Sequence, residues 1–335
     1  MKQKIFIAIA AMGLLSISSY AQDSGIDPND LFGDIRARHI GPAVMSGRIN
    51  DLESHPTNPR IIYAGSAGGG VWKSNDAGAT FNPIFDEYCQ SIGAVELDPN
   101  DPDNVVYVGT GETWTRNSVS YGDGLYKSTD GGATWKKLGF DKSERIANII
   151  VNPNNSNEVY VAVLGALWSD SEERGVYKSM DAGQTWEKIL YVNENSGFGD
   201  LTVDASNPDF MMATSWDFNR KPWVVQSGGP GSKVFKTTDG GKTWKEIDKG
   251  LPKLKGKMGI AISPANPKIV YMAIEALGEK GGVYRSDNAG DSFVQTTNDP
   301  TTYARAWYYM HIIADPTDED ELWVLNSWAM KSIDG

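Results

Sequence analysis

After about residue 40 the chain alternates short apolar runs with polar, glycine-rich turns. One unit shows the order best. Residues 91–97 and 105–109 predict two strands joined by a turn at 98–104, and residues 124–127 and 134–138 predict two more strands. Apolar spacing typical of an amphipathic helix is not found along the sequence. The pattern therefore predicts an all-β chain built from units of four short antiparallel strands.

A polar octapeptide follows the third strand of each unit. It reads Ser-Thr-Asp-Gly-Gly-Ala-Thr-Trp at residues 128–135, and other copies begin at Ser74, Ser179, Thr237, Ser286 and Ser332. The third residues of successive copies lie 46 to 58 residues apart. Internal repeats of this length are typical of propellers and solenoids, in which one supersecondary unit is stacked many times.

Four antiparallel strands in each repeat match a propeller blade better than a helical array. We therefore predict that residues 36–335 form a β-propeller of about six blades, preceded by a lead-in at residues 22–35. The last predicted blade starts with a strand at residues 307–313 and is incomplete at residue 335. We expect further blades or domains in the full-length chain.

Within the octapeptide, the aspartate is expected to accept hydrogen bonds from its own turn, and glycine to supply the positive φ that the turn requires. The alternative is a set of catalytic acids or Ca²⁺ ligands, which would need several oxygen donors close together. The copies lie one per blade, and each copy offers too few oxygen donors to form such a site. We therefore assign a structural role to Ser74, Asp76, Gly78, Ser128, Asp130, Gly132, Trp135, Ser179, Asp181, Gly183, Trp186, Asp239, Gly241, Trp244, Asn288 and Gly290.

The first 21 residues have the pattern of a secretory signal peptide. Lys2 and Lys4 precede an apolar run at residues 5–15, and Ser19-Tyr20-Ala21 provides a small-x-small cleavage site. A membrane anchor is the alternative, but the apolar run is shorter than the roughly 20 residues that a spanning helix needs. The sequence predicts cleavage after Ala21 and a secreted or periplasmic protein without membrane insertion.

Composition limits the possible partners and cofactors. The formal charge of -12 disfavours binding to nucleic acid, which requires clustered Lys and Arg. Cys89 is the only cysteine, so no internal disulfide can form. The three histidines, at positions 39, 55 and 311, are far apart in sequence, and His39 and His55 are expected at the surface. We predict neither a metal site nor a cofactor.

Candidate functional residues cluster in the loops that follow each second strand, which lie opposite the octapeptide turns. We expect ligand contacts from Trp114, Arg116, Trp216 and Arg220, because flat aromatic faces beside polar groups suit a sugar chain or an extended peptide. Packing between blades is an equal alternative for Trp114 and Trp216, and it is the expected role of Trp168 and Trp328.

Glycoside hydrolysis needs two carboxylates about 5–10 Å apart. The candidates are Glu112, Asp217 and Glu275.

The octapeptide resembles the Asp-box, or bacterial neuraminidase repeat (BNR), of sialidases, xyloglucan-cleaving glycoside hydrolases and the sortilin (VPS10) propellers. Residues 40–49 (IGPAVMSGRI) and 68–74 (GGGVWKS) resemble exported bacterial sortilin-like proteins that are often labelled glycosyl hydrolases. The resemblance implies a propeller fold. It implies less about activity, because the Asp-box itself performs no chemistry.

The sequence departs from the motifs of two hydrolase families. The xyloglucanase-like family has an aspartate just before the Gly-Gly of its first blade, where this chain has Ala67, and residues 38–42 (RHIGP) differ from the Arg-Ile-Pro motif of sialidases. We therefore predict a binding or interaction module for a peptide, protein or glycan. A glycoside hydrolase acting on polysaccharide and an architectural domain of a larger secreted protein are the alternatives.

Overall fold

A computed structural model describes residues 48–115 and 119–335. The secondary structure of these residues is almost entirely β, with 24 strands and two short 3₁₀ helices, η1 (Gly278–Lys280) and η2 (Pro300–Thr302). The strands form six antiparallel sheets, each built from a segment that is continuous in sequence. Among the described residues no helix has the length and apolar character needed to cross a membrane. The signal-peptide segment lies outside the described residues and stays a prediction.

The first three blades each have four strands in chain order. Blade 1 contains β1 (Ile49–Ser54), β2 (Ile62–Ser66), β3 (Val71–Ser74) and β4 (Asn82–Pro83). Blade 2 contains β5 (Ile92–Leu97), β6 (Val106–Thr110), β7 (Leu125–Ser128) and β8 (Lys136–Lys137). Blade 3 contains β9 (Ile146–Asn152), β10 (Asn155–Val163), β11 (Gly175–Ser179) and β12 (Glu187–Leu190).

The last three blades vary more. Blade 4 has five strands, β13 (Ser196–Val203), β14 (Met211–Lys221), β15 (Val224–Ser227), β16 (Val234–Thr237) and β17 (Lys245–Ile247). Blade 5 contains β18 (Met258–Ile262), β19 (Val270–Ile274), β20 (Gly282–Ser286) and β21 (Val294–Thr297). Blade 6 has three described strands, β22 (His311–Ala314), β23 (Leu322–Leu325) and β24 (Ala329–Ser332).

The sheets follow one another as the blades of a propeller. The first strand of each blade contacts the first strand of the next, in the order β1, β5, β9, β13, β18 and β22, so these strands are innermost. Apolar clusters fill the spaces between neighbouring blades. The predicted propeller of about six blades with an incomplete last one is confirmed. The predicted strand at 307–313 was placed too early, since β22 begins at His311.

The Asp-box turns have the predicted local role. In blade 1, Asp76 accepts hydrogen bonds from the backbone N–H of Thr80 at 2.8 Å and from its hydroxyl at 2.6 Å. Ser74 accepts from the backbone N–H of Gly78 at 2.8 Å. The same bonds recur around Asp130, Asp181 and Asp239. They hold the pKa of each of these aspartates at about 2, so the carboxylates are charged acceptors within turns.

A second role of the Asp-box is to join neighbouring blades. Tyr63 and Lys73 of blade 1 both donate hydrogen bonds to the carbonyl oxygen of Gly131 in the Asp-box of blade 2, at 3.2 and 3.0 Å. Tyr160 and Lys178 of blade 3 donate in the same way to Gly240 of blade 4, at 3.0 and 2.9 Å. In each pair the ammonium group also lies over the tyrosine ring, about 5 Å from its centroid. We call these bonds the blade-to-blade latches.

Three expectations about burial are wrong. His55 is buried, because its Nδ1 accepts hydrogen bonds from the backbone N–H groups of Thr57 and Asn58 and so caps the β1–β2 turn. Trp168 and Trp328 do not pack in the core, since they are 38% and 72% exposed.

Carboxylates on the innermost strands connect blades on the inside of the ring. Asp51 accepts a hydrogen bond from the N–H of Val95 in the next blade at 2.8 Å, and Asp200 accepts from Ile260 at 2.9 Å. Asp51, Glu53 and Glu96 line a cavity of about 390 Å³ between the first strands of four blades. Burial raises the pKa of Asp51 to about 6, of Asp200 to about 7 and of Glu53 to about 8.

These carboxylates predict a protein that loses stability as the pH rises. Their pKa values are higher in the folded than in the unfolded state, so folding retains protons that the unfolded chain has released. The free energy of unfolding is expected to fall from about pH 5 to pH 8. In Glu53→Gln this fall should shrink by roughly 2–4 kcal/mol, since the pKa of Glu53 is raised from 4.5 to about 8 and one pKa unit corresponds to about 1.4 kcal/mol. Urea unfolding at several pH values measures this, with Glu279→Gln on an exposed loop as the control. A steeper fall in Glu53→Gln would contradict the prediction.

Candidate functional site

The face opposite the Asp-boxes carries the candidate residues, as the sequence predicts. Each Asp-box turn donates a backbone hydrogen bond to the turn between the first and second strands of its own blade, as from Gly131 to Asn104 at 2.8 Å and from Ala182 to Asn157 at 2.9 Å. These two kinds of turn therefore share one face. The loops after the second strands and the connections between blades lie on the other, which we call the channel face.

Glu112 is part of a buried ion pair. It is fully buried, and its two carboxylate oxygens accept hydrogen bonds from Nε and Nη2 of Arg48 at 2.7 and 2.8 Å. A bidentate pair of this kind ties the start of blade 1 to the β6–β7 loop of blade 2. This placement supports a structural role for Glu112.

Trp216 lies in a small apolar cluster rather than at the surface. It is 1% exposed and stacks on Phe218 with ring centroids 4.6 Å apart. The guanidinium groups of Arg145 and Arg174 lie 5.0 and 4.5 Å from the centroid of Phe218. Burial lowers the pKa of these arginines to about 9 and about 10. The structure supports the packing alternative for Trp216.

Of the two arginines predicted to contact a ligand, Arg220 lies among the described residues and Arg116 does not. Arg220 is buried, donates a hydrogen bond to the carbonyl oxygen of Thr115 at 3.4 Å, and lies 6.0 Å from the ring centroid of Trp307. It therefore holds the β6–β7 loop against the segment that precedes blade 6. Arg116 lies outside the described residues, and its role as a ligand contact stays a prediction.

Asp217 and Glu275 lie on the two sides of one turn. This turn, residues 227–229, ends the β14–β15 hairpin. Asp217 accepts a hydrogen bond from the N–H of Gly231 at 3.3 Å. Oε2 of Glu275 accepts from the hydroxyl of Ser227 and from the N–H of Lys257, the latter at 2.9 Å. A Cβ on Gly256 would lie 2.0 Å from Oε2 of Glu275, so glycine is required there for the carboxylate to approach the backbone.

A cavity of about 370 Å³ opens beside Glu275, between blades 4 and 5 and the segment before blade 6. The rings of Tyr303 and Trp307, the stem of Lys255 and the backbone at Gly228 and Gly229 form its walls. We call it the Glu275 cavity. Burial raises the pKa of Glu275 above its ordinary value, although the hydrogen bond from Ser227 opposes the rise. A carboxyl group of this kind can hold a proton and transfer it to a bound oxygen.

Sequence reasoning missed Tyr303 and Trp307. Both belong to the aromatic-rich residues 303–309, which the sequence pattern assigned partly to a strand, whereas they form turns before β22. The density of aromatic residues in a connection between blades was the available signal. No group of His, Cys, Asp and Glu residues suited to hold a metal ion occurs in residues 48–115 and 119–335.

Comparison with known proteins places the chain among Asp-box propellers. A family model described as the BNR/Asp-box repeat matches residues 126–137. Xyloglucanase Xgh74A of Acetivibrio thermocellus is 28% identical over 257 residues, which cover 64% of this chain and 28% of that protein. The vacuolar protein sorting/targeting protein 10 of Colletotrichum graminicola is 33% identical over 86 residues, covering 26% of this chain and 5% of that protein.

Solved structures with the same fold include a GH74 enzyme of Niastella koreensis, with a TM-score of 0.64 and 20% identity, covering 85% of this chain and 45% of that one. The GH74 xyloglucanase of Xanthomonas campestris has a TM-score of 0.57 and 18% identity, covering 86% of this chain and 52% of that one. The chain spans less than a third of the curated xyloglucanase it matches. These relatives support the hydrolase alternative better than the binding-module prediction.

Proposed function

We propose that the channel face of this propeller binds a polysaccharide chain at the Glu275 cavity, within a protein of the glycoside hydrolase type. The cavity is the observation that carries the proposal. Two aromatic rings, Tyr303 and Trp307, and exposed Leu254 and Leu277 offer apolar surface to the C–H faces of sugars, while Glu275 and backbone groups offer hydrogen bonds to hydroxyls.

The relatives support a β-glucan as the ligand. Xyloglucanase Xgh74A is named for its action on xyloglucan, and we propose the same class of polysaccharide for this chain. Peptide ligands remain the alternative suggested by the sorting-protein relative, which matches a shorter segment. The Glu275 cavity favours a glycan, since its only described carboxylate is partly buried and no cation in the described part of the chain pairs with it at hydrogen-bond distance.

Hydrolysis is the second candidate function, and the placement of Glu275 in the cavity wall favours it, since its raised pKa is expected of a general acid. Asp217 lies on the other side of the 227–229 turn and is not among the residues that line this cavity. The xyloglucanase-like family has an aspartate at the position of Ala67 in blade 1. Ala67 is buried and has no carboxylate, so it argues against a hydrolytic mechanism that uses an aspartate there. Turnover by this chain would therefore depend on Glu275.

Binding and turnover can be measured separately with xyloglucan oligosaccharides. We expect saturable binding by calorimetry, and a loss of about tenfold in affinity in Trp307→Ala, because one aromatic contact is removed.

In Glu275→Gln, affinity should change little, whereas any release of reducing ends should fall by roughly 10²–10⁴-fold, the usual contribution of a proton donor. Glu279→Gln, in the exposed 3₁₀ helix η1 that follows β19, is the matched control.

Each outcome decides between the functions. Binding without reducing ends in the unmodified protein means recognition alone, whereas turnover that depends on Glu275 means a hydrolase. If Trp307→Ala bound xyloglucan oligosaccharides as tightly as the unmodified protein does, the Glu275 cavity would not be the binding site. Absence of binding to xyloglucan, together with binding of an extended peptide, would overturn the ligand class.

A further inference from the structure

Two buried arginines lie close together on the channel-face side of the space between blades 3 and 4. Arg145 precedes β9, and Arg174 lies in the loop between β10 and β11. Their guanidinium carbons lie 5.0 and 4.5 Å from the centroid of the same ring, that of Phe218 in blade 4. Both side chains also approach Gly165, whose carbonyl oxygen accepts a hydrogen bond from Nε of Arg145 at 2.7 Å. A Cβ on this glycine would lie 3.1 Å from Nε of Arg174. We call the two residues the arginine pair.

No carboxylate of the described residues neutralises the arginine pair by direct contact. Within residues 48–115 and 119–335, the two guanidinium groups donate to backbone carbonyl oxygens, those of Gly165, Ala166, Ser169 and Asn195. The nearby acidic groups act on the pair from beyond ion-pair distance, namely Glu112, which is bonded to Arg48, and Glu144, Asp170 and Asp217. Burial lowers the pKa of the two arginines only to about 9 and about 10, so both stay charged at neutral pH. Two like charges held together away from water are unfavourable without a counter-charge.

Three nitrogens of the arginine pair lack hydrogen-bond partners among the described residues. They are Nη1 and Nη2 of Arg145 and Nε of Arg174, and the two side chains are 0% and 1% exposed. Buried polar groups without partners are rare in native proteins, and charged ones are the most costly. Because these side chains have almost no exposed surface, a further blade would have nothing to pack against there. Trp114 differs, since its unpartnered indole N–H lies beside Tyr309 and the last described blade, where further blades are expected.

The missing partner has to accept hydrogen bonds and carry negative charge. Guanidinium N–H groups only donate, and a water molecule would accept from them but leave both charges uncompensated. A third cation adds to the positive field, since the ammonium group of Lys257 lies 5.6 Å from the ring centroid of Trp216, which stacks on Phe218. We propose that the arginine pair binds one small inorganic anion, of the size of chloride, in the enclosed space beside Phe218. This site does not depend on the function proposed for the Glu275 cavity.

Chloride should stabilise the folded protein, because a ligand that binds only the folded state raises the free energy of unfolding as its concentration rises. We expect the midpoint of thermal unfolding to rise when sodium chloride replaces sodium gluconate at constant ionic strength, since gluconate is too large for the enclosed space. Arg145→Gln keeps a donor for the carbonyl oxygen of Gly165 and removes one charge. It should need at least about tenfold more chloride for the same shift. Arg60→Gln, on the exposed β1–β2 turn, is the control and should respond to chloride as the unmodified protein does.

A crystal structure of the unmodified chain grown in bromide locates the ion through its anomalous scattering, and it does not require any variant to fold. We expect one bromide at hydrogen-bond distance from Nη1 or Nη2 of Arg145. A water molecule at that position, or bromide found only beside exposed side chains such as Arg60 as an adventitious ion, would overturn the proposal. Equal unfolding midpoints in chloride and gluconate would also overturn it, as would an undiminished response to chloride in Arg145→Gln.

Discussion

Gly93→Ala is expected to destabilise the propeller by about 3 kcal/mol, or to prevent its folding. Gly93 lies at a bulge in β5, where a Cβ would stand 2.0 Å from the carbonyl oxygen of Ile146 in blade 3 and 2.6 Å from that of Gly111. Its own carbonyl accepts a hydrogen bond from Asn50 of blade 1 at 2.6 Å. Three blades meet at this residue, so no single strand can move to make room.

Gly199→Ala is the matched control for that substitution. Gly199 also lies at a bulge in an innermost strand, β13, but a Cβ there would have no atom within 4 Å. We expect its free energy of unfolding to stay within about 1 kcal/mol of the unmodified protein, with a small gain possible from the reduced freedom of the unfolded chain. Equal unfolding midpoints in urea for the two variants would show that the close approach at Gly93 relaxes without cost.

Trp135→Ala is expected to cost about 3 kcal/mol, near the lower end for removing a large aromatic. Trp135 ends the Asp-box of blade 2, and its ring packs edge-on against Phe85 of the preceding connection, with centroids 5.0 Å apart. Its indole N–H donates to the carbonyl oxygen of Ile84 at 2.9 Å. The substitution removes both the packing and this bond between blades.

Two further variants separate these contributions. Trp135→Phe retains most of the packing and loses the hydrogen bond, so about 1 kcal/mol should be lost. Trp223→Ala, at the turn between β14 and β15 where the ring is 81% exposed, should leave the unfolding midpoint unchanged. If Trp223→Ala destabilised the protein as much as Trp135→Ala, the Asp-box tryptophan would have no special role in joining blades.

The sequence predicted the blades because their signals are local. A strand of four to six residues, an Asp-box and a turn are each specified by neighbouring residues, as Asp130 and Thr134 illustrate. The latches were not predicted, because Tyr63 and Gly131 are 68 residues apart. An alignment of the repeats would have exposed the recurring pair of an aromatic in the second strand and a cation in the third.

The candidate site was only partly predictable, because its contacts join residues that are far apart in sequence. Asp217 and Glu275 were identified as carboxylates in loops, but their approach to one turn depends on the β14–β15 extension, which no other blade has among the described residues. The pairing of Glu112 with Arg48 was not predicted, because the two residues are 64 positions apart. The cluster of Trp216 and Phe218 was likewise not predicted, because the guanidinium groups over the Phe218 ring come from blade 3.

The latches also give the ring a direction. In blades 1, 2 and 3 the donors are on the strands of the earlier blade, and the acceptor is the Asp-box carbonyl of the later one. During synthesis, each new Asp-box turn would therefore emerge next to donors that are already in place. Such an arrangement lets the ring grow one blade at a time from blade 1, with each blade acting as the template for the following one.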